Sequence, residues 1–205
     1  PSYALTSNVI KGDCNSLDDW LRALRKSKPT LIIHIAQIIY SDNLIKAINY
    51  LGISPHLIVV GTTGVFSKYN SCSINYKISE RIIMKSSLTY NLIRPTMIYG
   101  SVNDRNIHKL MRNIIRGIPI PLLNGGSSLF QPVFYKDISL VIYNLLVDYH
   151  ESNFNERSNW NCPGPDKVSL KEICDLISEV VDRNVRYIDL PYHPLHFFAS
   201  SLEFV

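Results

Sequence analysis

Short apolar runs that alternate with amphipathic helical patterns constrain the fold of this chain more than any other feature of its sequence. The runs lie at residues 31–35, 57–60 and 90–93, and Pro, Gly or polar residues flank each of them. Such runs are typical of parallel strands that are buried on both faces. Helical patterns between them are typical of βαβ crossovers. The sequence therefore predicts an α/β fold, in which helices cover both sides of a parallel sheet.

Three amphipathic helices are predicted within the first hundred residues. Ser16 is placed to cap the first helix, with Asp19 in the capping-box position. Gly52 is placed to end the second helix. The predicted apolar faces consist of Leu17, Trp20, Leu21 and Leu24 in the first helix, Leu44, Ile45, Ile48 and Leu51 in the second, and Ile78, Ile82 and Ile83 in the third.

The pattern changes after Gly100. Helices are predicted from residue 107 to Gly117, after Asp137, and after the capping box of Ser169 with Glu172. Residues 118–126, rich in Pro and Gly, predict a loop, and residues 185–190 predict a late strand. We expect a partial Rossmann-like dinucleotide-binding domain over residues 1–100 and a smaller, mixed C-terminal substrate lobe over most of residues 101–205. In open α/β sheets, ligands bind at the carboxyl ends of the strands.

Composition narrows the function classes. The chain has 205 residues, of which 46% are hydrophobic, so it can bury a sizeable core. Its net charge of +4 is scattered, which argues only weakly for nucleic acid. There is no signal peptide and no apolar run near the ~20 residues that span a bilayer. The four cysteines lack metal-site spacing, which predicts reduced thiols in a cytoplasmic protein; they are Cys14, Cys72, Cys162 and Cys174.

Six segments carry a resemblance to a known family. They are residues 9–13, residues 34–37, residues 60–66, Lys77 with Glu80, residues 93–100, and residues 130–138 followed by 161–164. Their order and spacing resemble the extended and atypical short-chain dehydrogenases/reductases, especially the nucleotide-sugar epimerases/dehydratases. The stretch Arg-Pro-Thr-Met-Ile-Tyr-Gly at residues 94–100 is the most specific of them.

The resemblance implies NAD or NADP as cofactor and a small-molecule substrate such as a nucleotide sugar. Implied catalytic residues are Thr63, Lys77 and Tyr76. Implied cofactor contacts, with the first at the adenine, are Asp13, His34, Ala36, Thr62, Lys77, Pro95, Thr96, Met97 and Ile98. Implied substrate contacts are Arg105, Asn106 and Gln131. Taken singly, these residues are also compatible with ordinary strand ends, packed side chains and surface turns.

One departure from the family concerns the phosphate-binding loop. The family begins with a strand, a Gly-x-x-Gly-x-x-Gly loop and a helix, because close backbone approach and a helix N-terminus hold the pyrophosphate. This motif does not occur in the 205 residues, which begin at Pro1 near the family's third strand. We expect the N-terminal βαβ unit, with the central strand and the residue that selects NAD or NADP, to lie upstream or to have been lost.

A second departure concerns the acid/base tyrosine. In the family this tyrosine precedes the lysine by four residues, so both side chains share one helical face. Here that position is Ser73, while Tyr76 is adjacent to Lys77 and points about a quarter-turn away. A serine does not replace a phenol as proton donor without another base. Catalysis by the usual Tyr/Lys pair is therefore in doubt.

Three functions follow as hypotheses. The first is an NAD(P)-dependent epimerase/dehydratase or oxidoreductase acting on a nucleotide-sugar-like substrate. The second is a non-catalytic NAD(P)-binding regulatory or assembly module, which Ser73 favours. The third is a non-functional fragment of such a gene. The expected partner is a small molecule rather than nucleic acid or membrane, and a homodimer is compatible with the resemblance.

Overall fold

The computed structural model describes residues 9–68, 71–104, 106–153 and 155–190, without the side chains of residues 71 and 72. The chain divides into two compact units, here called unit 1 (Pro1–Ile93 with Phe154–Trp160) and unit 2 (Arg94–Asn153 with Asn161–Val205). The elements in chain order are α1 (Leu17–Ser27), β1 (Leu31–His34), α2 (Ser41–Leu51), β2 (His56–Val60), α3 (Ser71–Lys85), β3 (Tyr90–Pro95), β4 (Ile98–Tyr99), α4 (Ile107–Ile115), β5 (Ile120–Leu123), β6 (Leu129–Phe130), β7 (Val133–Phe134), α5 (Tyr135–His150), β8 (Arg157–Cys162), β9 (Val168–Ser169), α6 (Leu170–Val181) and β10 (Tyr187–Leu190).

A four-stranded sheet in the order β1-β2-β3-β8 forms the centre of unit 1. β1 pairs with β2 and β2 with β3, both in parallel. Leu57, Ile58 and Val59 of β2 have no exposed surface, and burying each contributes about 1.5–3 kcal/mol. The three strands predicted from apolar runs are confirmed, and so is the α/β class with a parallel sheet.

The helices of unit 1 follow their predicted caps with one difference. The Ser16 hydroxyl accepts from the Asp19 backbone N–H, as expected, but the Asp19 carboxylate accepts from the Asp13 N–H instead of closing a capping box. Gly52 ends α2 with φ of 62°, which glycine adopts without strain because it has no Cβ. Two residues assigned to apolar faces are in fact exposed, Leu17 to 37% and Ile78 to 49%.

Residues 9–13, which resemble the family's third strand, form no strand in this structure. These residues have no strand partner in the described part of the chain. Side chains of α1 bind their backbone instead, because Arg22 donates to the Lys11 carbonyl over 2.7 Å and Asp19 accepts from Asp13 over 2.9 Å. A strand needs a ladder to satisfy its backbone groups, and helix side chains satisfy them here.

A buried polar network joins three strands of the sheet. His56 at the start of β2 bonds to the Thr89 hydroxyl through Nδ1 and to the side-chain Oδ1 of Asn91 through Nε2, both at a distance of 2.8 Å. The Asn91 amide donates to the Ser158 hydroxyl of β8 over 2.7 Å and to the Asn155 carbonyl over 3.2 Å. Hydrogen-bonded partners offset the cost of burying these groups. The network therefore favours one register across β2, β3 and β8.

The described residues of unit 2 form three two-stranded sheets, of which β4–β7 and β5–β10 are parallel and β6–β9 is antiparallel. The loop predicted at residues 118–126 is wrong, because residues 120–123 form β5. Its side chains alternate between buried and exposed, and Ile120 and Leu122 point into the core. Pro121 is tolerated because β5 lies at a sheet edge. The buried core consists of Ile114, Ile120, Leu122, Ile173, Cys174 and Ile177.

In unit 2 the predicted late strand and the predicted capping box are both confirmed, but one residue of the predicted apolar face of α6 is exposed. The late strand is present as β10. Ser169 and Glu172 form the reciprocal capping box at the start of α6. The helical spacing of Leu170, Ile173, Ile177 and Val180 predicts one apolar face for α6, but Val180 is 84% exposed. No helix in the described residues has the length and hydropathy to cross a membrane.

Candidate functional site

The candidate residues of unit 1 gather where β2 ends. A 3₁₀ turn, Thr63–Phe66, follows this strand. The Thr62 hydroxyl caps the turn by accepting from the Gly64 backbone N–H over 3.0 Å. Thr63, the implied catalytic hydroxyl, is the first residue of the turn and is half-buried. Strand-end hydroxyls of this kind lie where α/β sheets bind their ligands.

Tyr76 and Lys77 of α3 both contact this turn. A Cβ placed on Gly64 would lie 3.4 Å from the Tyr76 ring, so the small residue lets the ring approach the backbone closely. Lys77 is exposed, and its ammonium donates to the Ser67 carbonyl over 3.4 Å. The three residues implied in catalysis, Thr63, Tyr76 and Lys77, therefore lie around one turn.

Ser73 occupies a different environment. It lies one helical turn before Lys77 and is only 3% exposed, whereas Lys77 reaches solvent. Residues four apart lie on the same side of a helix, but these two differ in burial. Tyr76, whose ring lies close to Gly64, is accordingly the tyrosine that contacts the turn.

His34 at the carboxyl end of β1 is a buried, uncharged side chain. It is 3% exposed, and burial lowers the pKa of its imidazole, although a backbone hydrogen bond with Gln37 acts in the opposite direction. Its Nε2 has no hydrogen-bond partner within the described residues. The ring lies 6.0 Å from that of Trp20. Ala36 follows in the sequence and is half-buried, so its small side chain leaves the backbone accessible.

Asp13 lines a small cavity of about 130 Å³ together with Cys14, Asp19 and Trp20. One Asp13 carboxylate oxygen accepts from the Asn15 N–H over 2.9 Å. The Trp20 indole N–H donates to the Cys14 carbonyl over 2.9 Å. These bonds shape a pocket with an aromatic wall and two carboxylates, which can accept hydrogen bonds from an exocyclic amine.

In unit 2, the segment with the strongest family resemblance is held by backbone bonds. Pro95 is buried, Thr96 donates its hydroxyl to the Gln131 carbonyl, and the Met97 carbonyl accepts from Val133 over 2.9 Å. Ile98 pairs with Val133 in the β4–β7 ladder. The segment is therefore a rigid support, in which Pro95 contributes to packing and Met97 lines a cavity.

Gln131 takes part in the same support. Its side-chain amide donates to the Gly164 carbonyl over 3.3 Å, and its own carbonyl accepts from the Gly164 N–H over 3.3 Å. A Cβ on Gly164 would overlap the Pro132 carbonyl oxygen, so only glycine fits there. The Gln131 side-chain amide, implied by sequence as a substrate contact, therefore bonds to the protein itself in this structure. Of the other implied substrate contacts, Asn106 lines cavities and Arg105 lies outside the described residues.

Two larger cavities in unit 2 meet at Asn106 and Lys109. The first, of about 480 Å³, is mainly apolar, and Met97, Leu110 and Phe130 contribute to its walls. The second, of about 670 Å³, has a more polar lining than the first and includes Arg112. Sequence reasoning missed Lys109 and Arg112. The available signal was the lack of any Asp or Glu between Ile107 and Lys136, a stretch that contains several cations.

Metal and thiol chemistry have little support in the part of the chain that the structure describes. There, no three His, Cys, Asp or Glu side chains cluster as metal ligands would. Cys14, Cys162 and Cys174 are free thiols, and burial raises the pKa of Cys162, and that of Cys174 to about 11. The raised pKa values keep the thiols of Cys162 and Cys174 protonated and poorly nucleophilic.

Known structures share this fold at low sequence identity. The chain matches UDP-glucuronic acid 4-epimerase from Bacillus cereus in complex with NAD with a TM-score of 0.71 and 14% identity, over 89% of this chain and 68% of that one. It matches dTDP-4-dehydrorhamnose reductase from Bacillus anthracis in complex with NADP with a TM-score of 0.72 and 14% identity, over 88% and 73%. The resemblance inferred from sequence is therefore confirmed for the fold.

Two curated proteins of Arabidopsis thaliana show distant sequence similarity. The mitochondrial NADH dehydrogenase [ubiquinone] 1 alpha subcomplex subunit 9 is 23% identical over 127 residues, 62% of this chain and 31% of that protein. The chloroplast stem-loop binding protein of 41 kDa b is 25% identical over 137 residues, 60% of this chain and 35% of that protein. The similarity thus spans about a third of these relatives' length. No family model matches the chain.

Proposed function

We propose, from the extended short-chain dehydrogenase/reductase fold of this chain, that the protein is an NAD(P)-dependent epimerase/dehydratase or oxidoreductase that acts on a nucleotide-sugar-like substrate. The observation that carries the proposal is the gathering of Thr63, Tyr76 and Lys77 around the turn that follows β2. Strand ends in such sheets hold ligands, and these three side chains can exchange or orient protons. Because the three described cysteines are free thiols, we propose the cytoplasm as its location.

The residues present fit one end of a dinucleotide. The cavity at Asp13 offers carboxylate acceptors beside the Trp20 ring, which suits an adenine amine and its flat base. Ala36 permits close approach of a ribose to the backbone, and the Lys77 ammonium can donate to ribose hydroxyls. The pyrophosphate would need a glycine-rich loop, which the 205 residues do not contain.

The proposed chemistry divides simply between cofactor and protein. The bound nicotinamide supplies hydride transfer, and the protein moves a proton on the substrate hydroxyl. Thr63 orients that hydroxyl, and Tyr76, whose ring lies against the turn, is the proposed side chain for proton exchange. Lys77, the next residue on α3, carries an ammonium that can donate to a hydroxyl of the cofactor or substrate.

A second candidate function is a non-catalytic NAD(P)-binding regulatory or assembly module. The specific observation in its favour is Ser73, which stands buried where the family's tyrosine would be. The similarity to a subunit of a NADH dehydrogenase complex and to a stem-loop binding protein is consistent with this role. Under this alternative the dinucleotide stabilises the fold and no turnover occurs.

Cofactor binding and turnover separate the two functions. The complete protein, including any coding sequence upstream of residue 1, is purified and assayed for bound NAD or NADP. Turnover is then measured on a panel of nucleotide sugars for the wild type, Thr63→Ala and Lys77→Ala. The matched control is Lys85→Ala, which removes an exposed ammonium from the last turn of the same helix.

For an enzyme, we expect turnover to fall at least 10²-fold in Thr63→Ala and Lys77→Ala, on the scale of about 10²–10⁴-fold that general acid–base groups supply. Lys85→Ala is expected to keep wild-type turnover. Bound cofactor without turnover of any substrate supports the non-catalytic module. A complete protein that binds neither NAD nor NADP contradicts both functions.

A further inference from the structure

Positive charge is concentrated on the first helices of unit 1. Residues 20–79 contain seven Lys or Arg side chains and a single acidic residue, Asp42, so all but one of the 17 acidic residues of the chain lie outside this segment. Four of the seven cations fall within residues 22–28, which form the second half of α1 and its C-cap. Composition alone argued only weakly for nucleic acid, because acidic residues elsewhere in the chain mask this local excess.

Two ion pairs use some of these charges within the protein. Arg22 pairs with Asp19 over 2.6 Å and also donates to the Lys11 carbonyl over 2.7 Å. On α2, Lys46 pairs with Asp42 over 2.6 Å. Arg22 and Lys46 are therefore engaged, and so are the two carboxylates that could otherwise neutralise the neighbouring cations.

Three exposed cations at the end of α1 remain. None of them has a carboxylate partner among the described residues; they are Arg25, Lys26 and Lys28. The other carboxylate of α1, that of Asp18, lies in the first turn, about 12 Å along the axis from Lys26 at about 1.5 Å per residue. Because that distance exceeds the Debye length of about 8 Å at physiological salt, Asp18 does little to neutralise these cations.

An exposed aromatic ring adjoins these cations. Tyr50, in the last turn of α2, is 72% exposed, and the Arg25 guanidinium lies 5.9 Å from the centre of its ring. Cations in the last turn of a helix also stabilise that helix, but this role does not require an exposed ring beside them. An open aromatic face next to unpaired cations is the combination with which proteins stack an unpaired base and contact the adjacent phosphates.

We propose that the surface formed by Arg25, Lys26, Lys28 and Tyr50 binds single-stranded RNA. Tyr50 stacks against a base, while the three cations contact phosphates of the same strand. A single strand is favoured over a duplex because only an unstacked base can lie against an aromatic side chain. RNA rather than DNA follows from the cytoplasmic location proposed above.

The surface suits RNA better than it suits a membrane. A helix that lies on a bilayer inserts an apolar face, whereas Leu21 and Leu24 of α1 are buried in the core of unit 1. None of the residues of this surface takes part in the proposed dinucleotide chemistry. RNA binding is therefore a further activity that stands or falls separately from turnover.

Fluorescence anisotropy with a labelled oligo(U) RNA tests this surface on the complete protein, including any coding sequence upstream of residue 1. Tyr50→Ala is expected to weaken RNA binding about 10-fold, since it removes the stacked base contact. Tyr50→Phe keeps the ring and is expected to stay within about 2-fold of the wild type. The double variant Lys26→Gln/Lys28→Gln is expected to bind more weakly and to depend less on salt. The slope of the logarithm of the association constant against that of the salt concentration should decrease in magnitude by about 0.7 for each lysine.

Two matched controls remove similar side chains outside this surface. Tyr143→Ala deletes a ring on α5 that is 60% exposed, and Lys85→Gln deletes an exposed cation in the last turn of α3. Both are expected to keep wild-type affinity for oligo(U) and the wild-type salt slope.

Duplex RNA and phosphatidylserine vesicles are added as competitors of the labelled oligo(U). Poor competition by both supports a surface for single strands. Displacement by duplex RNA or by vesicles at concentrations similar to those of unlabelled oligo(U) overturns the proposal. It is also overturned if the wild type does not bind oligo(U), if Tyr50→Ala binds it normally, or if Tyr143→Ala and Lys85→Gln lose as much affinity as the variants of the surface.

Discussion

Ser73 and Lys77 lie one turn apart on α3, yet Ser73 is only 3% exposed while Lys77 reaches solvent and donates to the Ser67 carbonyl. The family pattern would place a tyrosine and a lysine at these two positions. Because the Ser73 position is enclosed, a larger side chain there must displace its neighbours. The packing around α3 therefore accommodates the small serine at position 73 and leaves no room for the family's tyrosine.

Ser73→Tyr is expected to lower the free energy of unfolding by about 1–3 kcal/mol, since overpacking forces side chains and backbone to shift. Ser73→Ala, as the small control, is expected to cost about 1 kcal/mol or less. Urea denaturation monitored by circular dichroism measures both. A Ser73→Tyr protein with wild-type stability and increased turnover would show instead that the position opens onto the reacting groups.

Stability is expected to fall at acidic pH because of His34 and His56. Burial lowers the pKa of both imidazoles from the ordinary value of 6.5. The unfolded chain therefore binds these protons more readily than the folded protein does. The stabilisation is fully present above about pH 6.5 and is lost as the pH falls through the lower folded-state pKa values.

Urea denaturation at pH 7.5 and pH 5.5 checks this expectation. His56→Gln removes one of the two titrating groups, so it is expected to shrink the difference between the two pH values while lowering stability at both. His150→Gln, at an exposed position, is the control and is expected to leave that difference unchanged. Equal stability of the wild type at both pH values would contradict the destabilising role assigned to His34 and His56 at acidic pH.

Gly164→Ala is expected to destabilise unit 2 by about 2–3 kcal/mol or more, because the added Cβ overlaps the Pro132 carbonyl oxygen. Gly117→Ala is the matched control: its φ is +67° but a Cβ there meets nothing within 4 Å. The control is expected to cost only the backbone strain of a left-handed residue, about 1–2 kcal/mol. Thermal unfolding of both variants gives the comparison, and equal losses would argue against the close approach.

Ser169→Ala is expected to cost about 1 kcal/mol, since its hydroxyl accepts from the Glu172 N–H at the start of α6. The Glu172 carboxylate returns the contact by accepting from the Ser169 N–H over 2.7 Å. A double-mutant cycle with Glu172→Ala measures the coupling between the two bonds. Strictly additive effects on the free energy of unfolding would mean that the two halves of the box act independently.

The sequence by itself determined the elements whose signals are local. Continuous apolar runs predicted β1, β2 and β3, because strands buried on both faces need apolar side chains at every position. Caps such as Ser169 were predictable because a helix end is satisfied by residues within one turn of it. Strand-end residues such as Thr63 were also predictable from local sequence, since the end of a buried apolar run marks the edge of the sheet.

Only the tertiary structure decided the elements whose partners are distant in sequence. β8 is mostly polar and was not predicted, yet it joins the sheet beside β3, where Ser158 accepts from Asn91. The sequence predicted a loop at β5 because Pro121 lies within it, and β5 forms by pairing with β10. Residues 9–13 form no strand, and side chains of α1 bind their backbone instead. The cavities that Lys109 lines could be found only in the fold, because a cavity arises from packing between segments that local sequence does not encode.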